Sequence, residues 1–398
     1  MTALERRSVG SLALLYSFRM LGLFMVLPLL SLYAADLPDA TPSLIGLALG
    51  AYGLTQAILQ IPLGWLSDQI GRKPVIVGGL LLFLLGSVLA ATADSLWGIV
   101  MGRALQGAGA IAATVMALVA DLTSAEQRTK AMAVVGMSIG MSFAVALVLG
   151  PVIASAGGLA AVFWVTALLA AGGIAIVLFL VPKPTTAPVL HGEVGARPSL
   201  FGTALRDPAL LRLNFGVFSL HFILMAFFLV VPATLEQVAG VDRAHHWQVY
   251  LPVLLLSILG MLPLLRTAER GGRPREMFLC GVGLLLVSLP LVGVAWRPFA
   301  LYLALWLFFV GFNYLEATLP SLVSKTVFAG GKGTALGIYS TCQFFGAFAG
   351  GAGGGWVIQH LGAFYLLGLC VALGGLWFLV MLGAGGSQLQ DLEQITEA

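Results

Sequence analysis

Gly64-Trp65-Leu66-Ser67-Asp68-Gln69-Ile70-Gly71-Arg72-Lys73-Pro74 separates two long apolar runs, 44–66 and 75–93. Each run is close to the roughly 20 apolar residues that cross a bilayer as a helix. Between them stand Asp68, Arg72 and Lys73, with Gly71 able to take a tight turn and Pro74 suited to the first turn of the next helix. The stretch therefore predicts a hairpin of two membrane helices joined by a short polar loop. Gly64 fits a place where another helix comes close. Asp68, at the end of its helix, can face the positive N-terminus of a neighbouring one.

Working outward, the same pattern recurs along the chain. Of its 398 residues 59% are hydrophobic and only 9% charged, against roughly 25% charged in soluble domains. Spans are predicted near 12–35, 44–66, 75–93, 97–120, 131–153 and 160–182. A second set is predicted near 210–234, 247–265, 277–295, 299–323, 333–358 and 361–383. Backbone hydrogen bonding inside lipid admits only helices or closed barrels, and these runs are too long and too uniformly apolar for barrel strands. The fold class is an all-α membrane protein of twelve transmembrane helices in two six-helix bundles, 1–182 and 209–383. A Pro-rich linker, 183–208, joins them, and a polar tail, 384–398, follows. The run after Arg6 and Arg7 has no small-residue cleavage site and reads as a retained first helix rather than a signal peptide.

Orientation follows from Lys and Arg. With an even number of spans and the N-terminus inside, sixteen of them fall in cytoplasmic segments, and only Arg243 and Arg297 fall outside. Both termini are thus expected in the cytoplasm. The net charge of +3 is spread thinly, so a nucleic-acid partner has no electrostatic basis. Cys280, Cys342 and Cys370 have no metal-ligand spacing and read as small buried hydrophobes; neither metal nor cofactor is expected. There is no P-loop, so ATP does not drive the protein directly. Gly136-Met-Ser-Ile-Gly140 and Gly107-Ala-Gly-Ala-Ile-Ala112 match hydrolase and dinucleotide patterns literally. Both sit inside predicted spans, without the strand those motifs need.

A degenerate repeat appears at an offset near 200. Gln127–Ala133 aligns with Gly331–Gly337, and Asp68, Gly71 and Arg72 align with Glu269, Gly272 and Arg273. Parallel six-helix repeats are one way to build an alternating-access transporter. Ionisable residues inside spans are costly and mark functional positions. Here they are Arg19, Arg103, His221 and Glu316, with Asn313 three residues before Glu316 on the same helical face. Glu316 is the candidate carrier of a coupling proton. His221 titrates near neutrality if unperturbed, and a hydrogen-bonded packing role fits it as well. Phe18, Met20, Phe24, Met25, Phe222, Met225, Phe227, Phe312, Tyr314, Tyr339, Gln343 and Phe344 are candidate cavity lining. Gly46/Gly50, Gly136/Gly140 and Gly346/Gly350/Gly354 have the spacing of close helix contacts.

The loop Gly64–Pro74 resembles the signature cytoplasmic loop of the major facilitator superfamily. Arg103-Ala-Leu-Gln-Gly107 looks like that family's intramembrane arginine motif. Gly150-Pro151 resembles the core of its exporter motif, with Ala146 and Ala154-Ser155 departing from the glycines around it. Asp121 and Arg128 match the charged positions after span four. Arg19-Met-Leu-Gly22 and Tyr52-Gly-Leu-Thr-Gln56 bring the chain nearest to the YajR-like proton-driven drug exporters. The resemblance implies a multi-pass protein of a bacterial inner membrane, acting as a monomer and exchanging a small amphipathic substrate for protons. Uptake by proton symport, or a non-transporting receptor, is the alternative. It also implies roles for three charges: Asp68 contacting the N-terminus of span eleven when the inside is closed, and Arg72 pairing with Asp121.

Overall fold

The computed structural model describes residues 1–182, 200–294, 297–328 and 331–383. Most of the 183–208 linker and all of the 384–398 tail lie outside the described residues. Among those described, all regular structure is helical. Span one is Ala3–Tyr33, span two Pro42–Ile70 and span three Arg72–Ala91. Span four comes in two pieces, Leu96–Ala108 and Ala112–Asp121. Spans seven to ten are Pro208–Ala239, Trp247–Arg270, Pro274–Gly293 and Pro298–Thr326. Span eleven is built from Lys332–Phe348, a π-helical turn Ala349–Gly353 and Gly354–His360, and span twelve is Ala363–Leu382.

Spans five and six lie in one continuous helical stretch of 55 residues. At 1.5 Å per residue it would be about 80 Å long, far more than a bilayer core of about 30 Å. It is two crossings, because Gly157 and Gly158 leave helical geometry, Gly158 at φ +66°. The partners on span one prove the reversal. Ser138 meets Ala13 and Gly150 meets Met25; then Thr166 meets Gly22 and Gly172 meets Phe18. The partner number rises and then falls, so the chain turns back at 157–158. Among the described residues, ten helices are long and apolar enough to cross, the joined stretch counted as one. Dividing the joined pair and counting the two-piece span eleven gives twelve crossings.

Local chemistry sets the ends. Thr41 caps span two, with Pro42 in its first turn, and Ser95 caps span four. The Asp39 carboxylate accepts from Leu96 N at 2.9 Å, tying the 36–42 connection to the start of span four. Asp207 caps span seven ahead of Pro208. The hairpin between spans two and three turns on Gly71 at φ +97°, and Gly272, its aligned position in the second half, has φ +61°. A side chain is strained at either. The two aligned glycines thus share a positive-φ turn.

The turns at 70–72, 121–125 and 270–274 share one face of the molecule, called here the loop face; those at 36–42, 91–96, 239–247 and 360–363 share the opposite face. The two sets of six spans meet most tightly toward the opposite face. Ser31 Oγ donates to Phe228 O at 3.0 Å, Ser43 N to Gln359 Oε1 at 3.1 Å, and Arg243 pairs with Asp36 at 2.8 Å while covering the Tyr33 ring. A Cβ on Gly46 would stand 2.3 Å from Gly351 O and 2.7 Å from Gly355 Cα, so backbone meets backbone there. Toward the loop face the crossing of spans two and eleven loosens. At Gly337 the nearest outside atom to a Cβ is Ile61 Cγ1, 3.8 Å away. Farther still, Asp68 pairs with Arg72 of its own loop. The halves are pressed together on one face and part toward the other.

Two expectations about small residues fail. Gly136 and Gly140 are exposed with nothing near a Cβ position, so they face away from the bundle. Gly64 is not a close approach either, since a Cβ there would make ordinary contact with Ala113 at 3.6 Å. Gly346 and Gly350 do hold close contacts, against the carbonyls of Phe218 and Phe222. Cys370 is buried as expected, while Cys280 is exposed on the outer surface of its span.

The Asp36–Arg243 pair is more than a third exposed on both sides, where ion pairs contribute about 0–1 kcal/mol. Arg243→Ala is expected to shift the balance between conformations by no more than about fivefold. Distances between spin labels on the 36–42 and 239–247 connections measure that shift.

Candidate functional site

Two polar networks lie inside the bundle. The first is in the second half. Glu316 in span ten, His221 in span seven and Gln343 in span eleven converge. The Gln343 amide nitrogen lies 2.8 Å from His221 Nε2 and 3.3 Å from Glu316 Oε1. His221 Nδ1 lies 3.1 Å from Val217 O. A carbonyl only accepts, so Nδ1 carries a proton, and an unprotonated Nε2 accepts from Gln343. Glu316 Oε2 has no hydrogen-bond partner and stands 3.7 Å from His221 Nε2. The Glu316 side chain is 38% exposed although it lies ten residues from the end of a 29-residue span. Part of the side chain is thus accessible at that depth, while its Oε2 is buried.

Seven residues from Glu316 toward the opposite face, about 10 Å along the helix, aromatic rings fill the space. Phe143 of span five touches Phe24 at 5.1 Å and Phe309 at 6.2 Å, and Phe227 stacks on Phe308 at 3.7 Å. These rings floor the opening. Asn313 does not join the cluster. Its amide donates to Ser257 Oγ in span eight at 2.9 Å, because a three-residue step on a helix leaves the side chains about 60° apart in direction.

The second network is in the first half, where both arginines are 1% exposed. Arg19 Nη2 donates to Tyr52 Oη at 2.9 Å, Gln56 Oε1 at 2.8 Å and Gly109 O at 3.0 Å. Gly109 is the break in span four, predicted continuous from sequence. Its backbone crosses Gly79 so closely that a Cβ would stand 2.2 Å from Gly79 O. Arg19 thus places a cation at the C-terminal, negative end of the 96–108 piece. Arg103 lies over the Tyr52 ring at 5.0 Å and donates to Gln106 Oε1 at 2.9 Å and Ala48 O at 3.4 Å. Tyr52 joins the two arginines, and sequence reading passed over it as a site residue. Its signal is a tyrosine set between Gly50 and Gly53 in a small-residue run. The two networks meet on span eleven: Gln343 serves the first, and the next residue, Phe344, packs edge-on to Tyr52 at 6.3 Å.

At the loop face Arg72 binds Asp68, Asp121 at 3.1 Å and Ser67 Oγ at 2.6 Å. Lys73 donates to the carbonyls of Val177 and Val181 at the end of span six, where a cation complements the helix dipole. Arg128 is half-buried in the first turn of span five. Gly150, followed by Pro151 inside span five, packs on Met25, with a Cβ position 2.9 Å from its carbonyl. Arg72→Ala would leave two largely buried carboxylates side by side. It is expected to cost about 2 kcal/mol or more, discounted from the 3–5 of a fully buried pair. A melting-temperature drop of about 2 °C or more checks it.

Comparison with known proteins agrees with this architecture. Residues 12–351 match the family model described as Major Facilitator Superfamily. "Inner membrane transport protein YajR" of Escherichia coli strain K12 is 50% identical over 358 residues, 90% of this chain and 78% of the relative. "Multidrug resistance protein MdtH" of Aeromonas hydrophila is 28% identical over 84% of this chain and 83% of its own. Among solved structures, a bacterial homologue of the lysosomal transporter Spinster, described as inward-facing and unoccupied, superposes with TM-score 0.73 at 14% identity, covering 98% of this chain and 99% of that one. The human organic anion transporter MFSD10 superposes at 0.70 and 20%, covering 96% and 100%. Fold, hairpin loop and sequence relatives agree, and the chain belongs to the major facilitator superfamily.

Proposed function

We propose that the protein is a secondary active transporter of a bacterial inner membrane, exporting a small amphipathic compound in exchange for protons by alternating access. The observation that carries this reading is the Glu316–His221–Gln343 cluster at the bottom of an opening. Glu316 keeps one oxygen buried without a hydrogen-bond partner, 3.7 Å from His221 Nε2, and the other on an amide that it shares with that histidine. A proton arriving there neutralises the carboxylate or charges His221. Charging His221 breaks the sharing, because a protonated Nε2 no longer accepts from Gln343, and neutralising Glu316 weakens it, because the amide then loses a charged acceptor. The proton thus changes the contacts of span eleven.

The Lys and Arg bias supports placing the loop face, and both termini, in the cytoplasm. The conformation is then open to the inside, with the Asp36–Arg243 pair, Gly46–Gly355 and the aromatic floor closing the outside. Asp68 stays on Arg72 in this state, and we assign its contact with span eleven to the outward-open state. Gly71, Lys73, Asp121, Arg128, Gly150 and Pro151 hold the loop and spans around it. The protein would work as a monomer, with the two bundles, 1–182 and 209–383, as the rocking units. The names of the relatives, an inner-membrane transport protein and multidrug resistance proteins, support both the location and the direction of transport.

A pH jump across proteoliposomes tests the direction. With protons running inward, substrate loaded inside is expected to leave faster than without the jump. Substrate moving with the protons instead would make the protein a symporter, and flux indifferent to the jump would remove proton coupling.

A further inference from the structure

Arginine keeps its charge at any depth, and a buried charge without a counter-charge is expensive. Arg19 and Arg103, each 1% exposed, bracket the same tyrosine, yet all their hydrogen-bond acceptors are neutral: a phenol, two carboxamides and two backbone carbonyls. Among the described residues, neither forms an ion pair with a carboxylate. Arg19 uses only Nη2; the N–H groups on Nε and Nη1 are buried and have no acceptor. The Phe83 ring, 5.9 Å from its guanidinium carbon, offsets little of the charge. Two positive charges and three unused donors around one side chain favour a monoanion.

We propose that the unpartnered Nε and Nη1 of Arg19, where spans one, two and four meet beside Tyr52, bind a small monoanion, a carboxylate or a halide. Its position gives the site a part in transport. Tyr52 touches Phe344, whose neighbour Gln343 holds Glu316 and His221. An anion on Arg19 and a proton on the Glu316 cluster therefore act on the two sides of one helical turn. A carboxylate-bearing substrate would place its charge on the first half and its apolar part toward the aromatic floor. This deepens the transporter reading by naming a charge class, and rests on it only for the substrate form of the anion.

The test uses the full chain purified in detergent, melted in chloride-free buffer at ionic strength fixed with sodium sulfate. Sodium benzoate, its neutral isostere benzamide and sodium chloride are titrated separately. One or both anions are expected to raise the melting temperature saturably by about 2 °C or more at tenfold excess over the dissociation constant, and benzamide is not. The rise is expected to vanish in Arg19→Gln and persist in Arg19→Lys. Arg103→Gln, a second variant should the first fail to fold, is expected to weaken it about tenfold, the factor that 1.4 kcal/mol represents. Benzoate without chloride points to an organic carboxylate, and chloride alone to a resident halide. No response to either anion, a matching response to benzamide, or an undiminished response in Arg19→Gln overturns the proposal. None of these readings depends on proton coupling, so a failure there leaves the melting result standing, and the reverse.

Discussion

Gly46→Val is expected to abolish transport while leaving the protein folded. The Cβ and methyl groups of valine would enter space held by Gly351 O and the Gly355 backbone, both closer than 3 Å to the ideal Cβ position. Backbone on a packed helix cannot move aside as a flexible side chain can, and overpacking of this kind costs about 1–3 kcal/mol or more. The cost falls on one conformation only, because the contact joins spans two and eleven where the halves press together. An equilibrium is moved by the difference between its two states. A penalty of about 3 kcal/mol would shift it more than a hundredfold toward the conformation open on that face. Spin-label distances across the 36–42 and 239–247 connections should lengthen, and turnover should fall with the lost population. Unchanged distances with normal flux would mean that this crossing is not part of the moving contact. Gly136→Val is the natural control: with nothing near its Cβ position, it is expected to be silent.

Glu316→Gln is the second large effect. The amide keeps the shape of the side chain and still meets Gln343, so folding is expected to survive. It cannot carry a proton, so pH-driven flux should drop by about tenfold or more, equivalent to at least about 1.4 kcal/mol at the limiting step. Exchange of substrate for substrate, which needs no proton, should continue. A variant whose pH-driven flux matches the parent would remove Glu316 as the carrier and leave His221 to be tested. His221→Gln is expected to be milder, since its Nε2 lone pair is only one of two acceptors for the Gln343 amide.

Much of this was legible in the residues. The hairpin at Gly71 could be read because its chemistry is local: a turn needing positive φ, a proline one helical turn later and apolar runs on both sides. Its echo at Gly272 could be read for the same reason. The buried arginines and Glu316 announced themselves by cost, since charge in an apolar run has to be compensated somewhere. Their partners could not be read. Gln343 lies 27 residues from Glu316 and 122 from His221, and no periodicity connects residues on different helices. Asn313 bonds Ser257 rather than the Glu316 cluster, because one helical face spans a wide arc and a neighbouring span meets it first. The break at Gly109 was hidden because alanine and glycine on either side fit a continuous span as well as an interrupted one; the crossing with Gly79 decides it. Gly136 and Gly140 show the converse, a close-contact spacing that meets nothing.

Gln343 and Phe344 are consecutive residues on a stiff rod. Side chains one step apart on a helix diverge by about 100°, so the first reaches into the second half while the other reaches across to Tyr52. A rod has one angular setting at a time. Any twist of span eleven that lets go of Glu316 would also move Phe344 relative to the tyrosine. In the proposed cycle span eleven would work as a crank, with the two halves coupled through the covalent bond between two neighbouring residues.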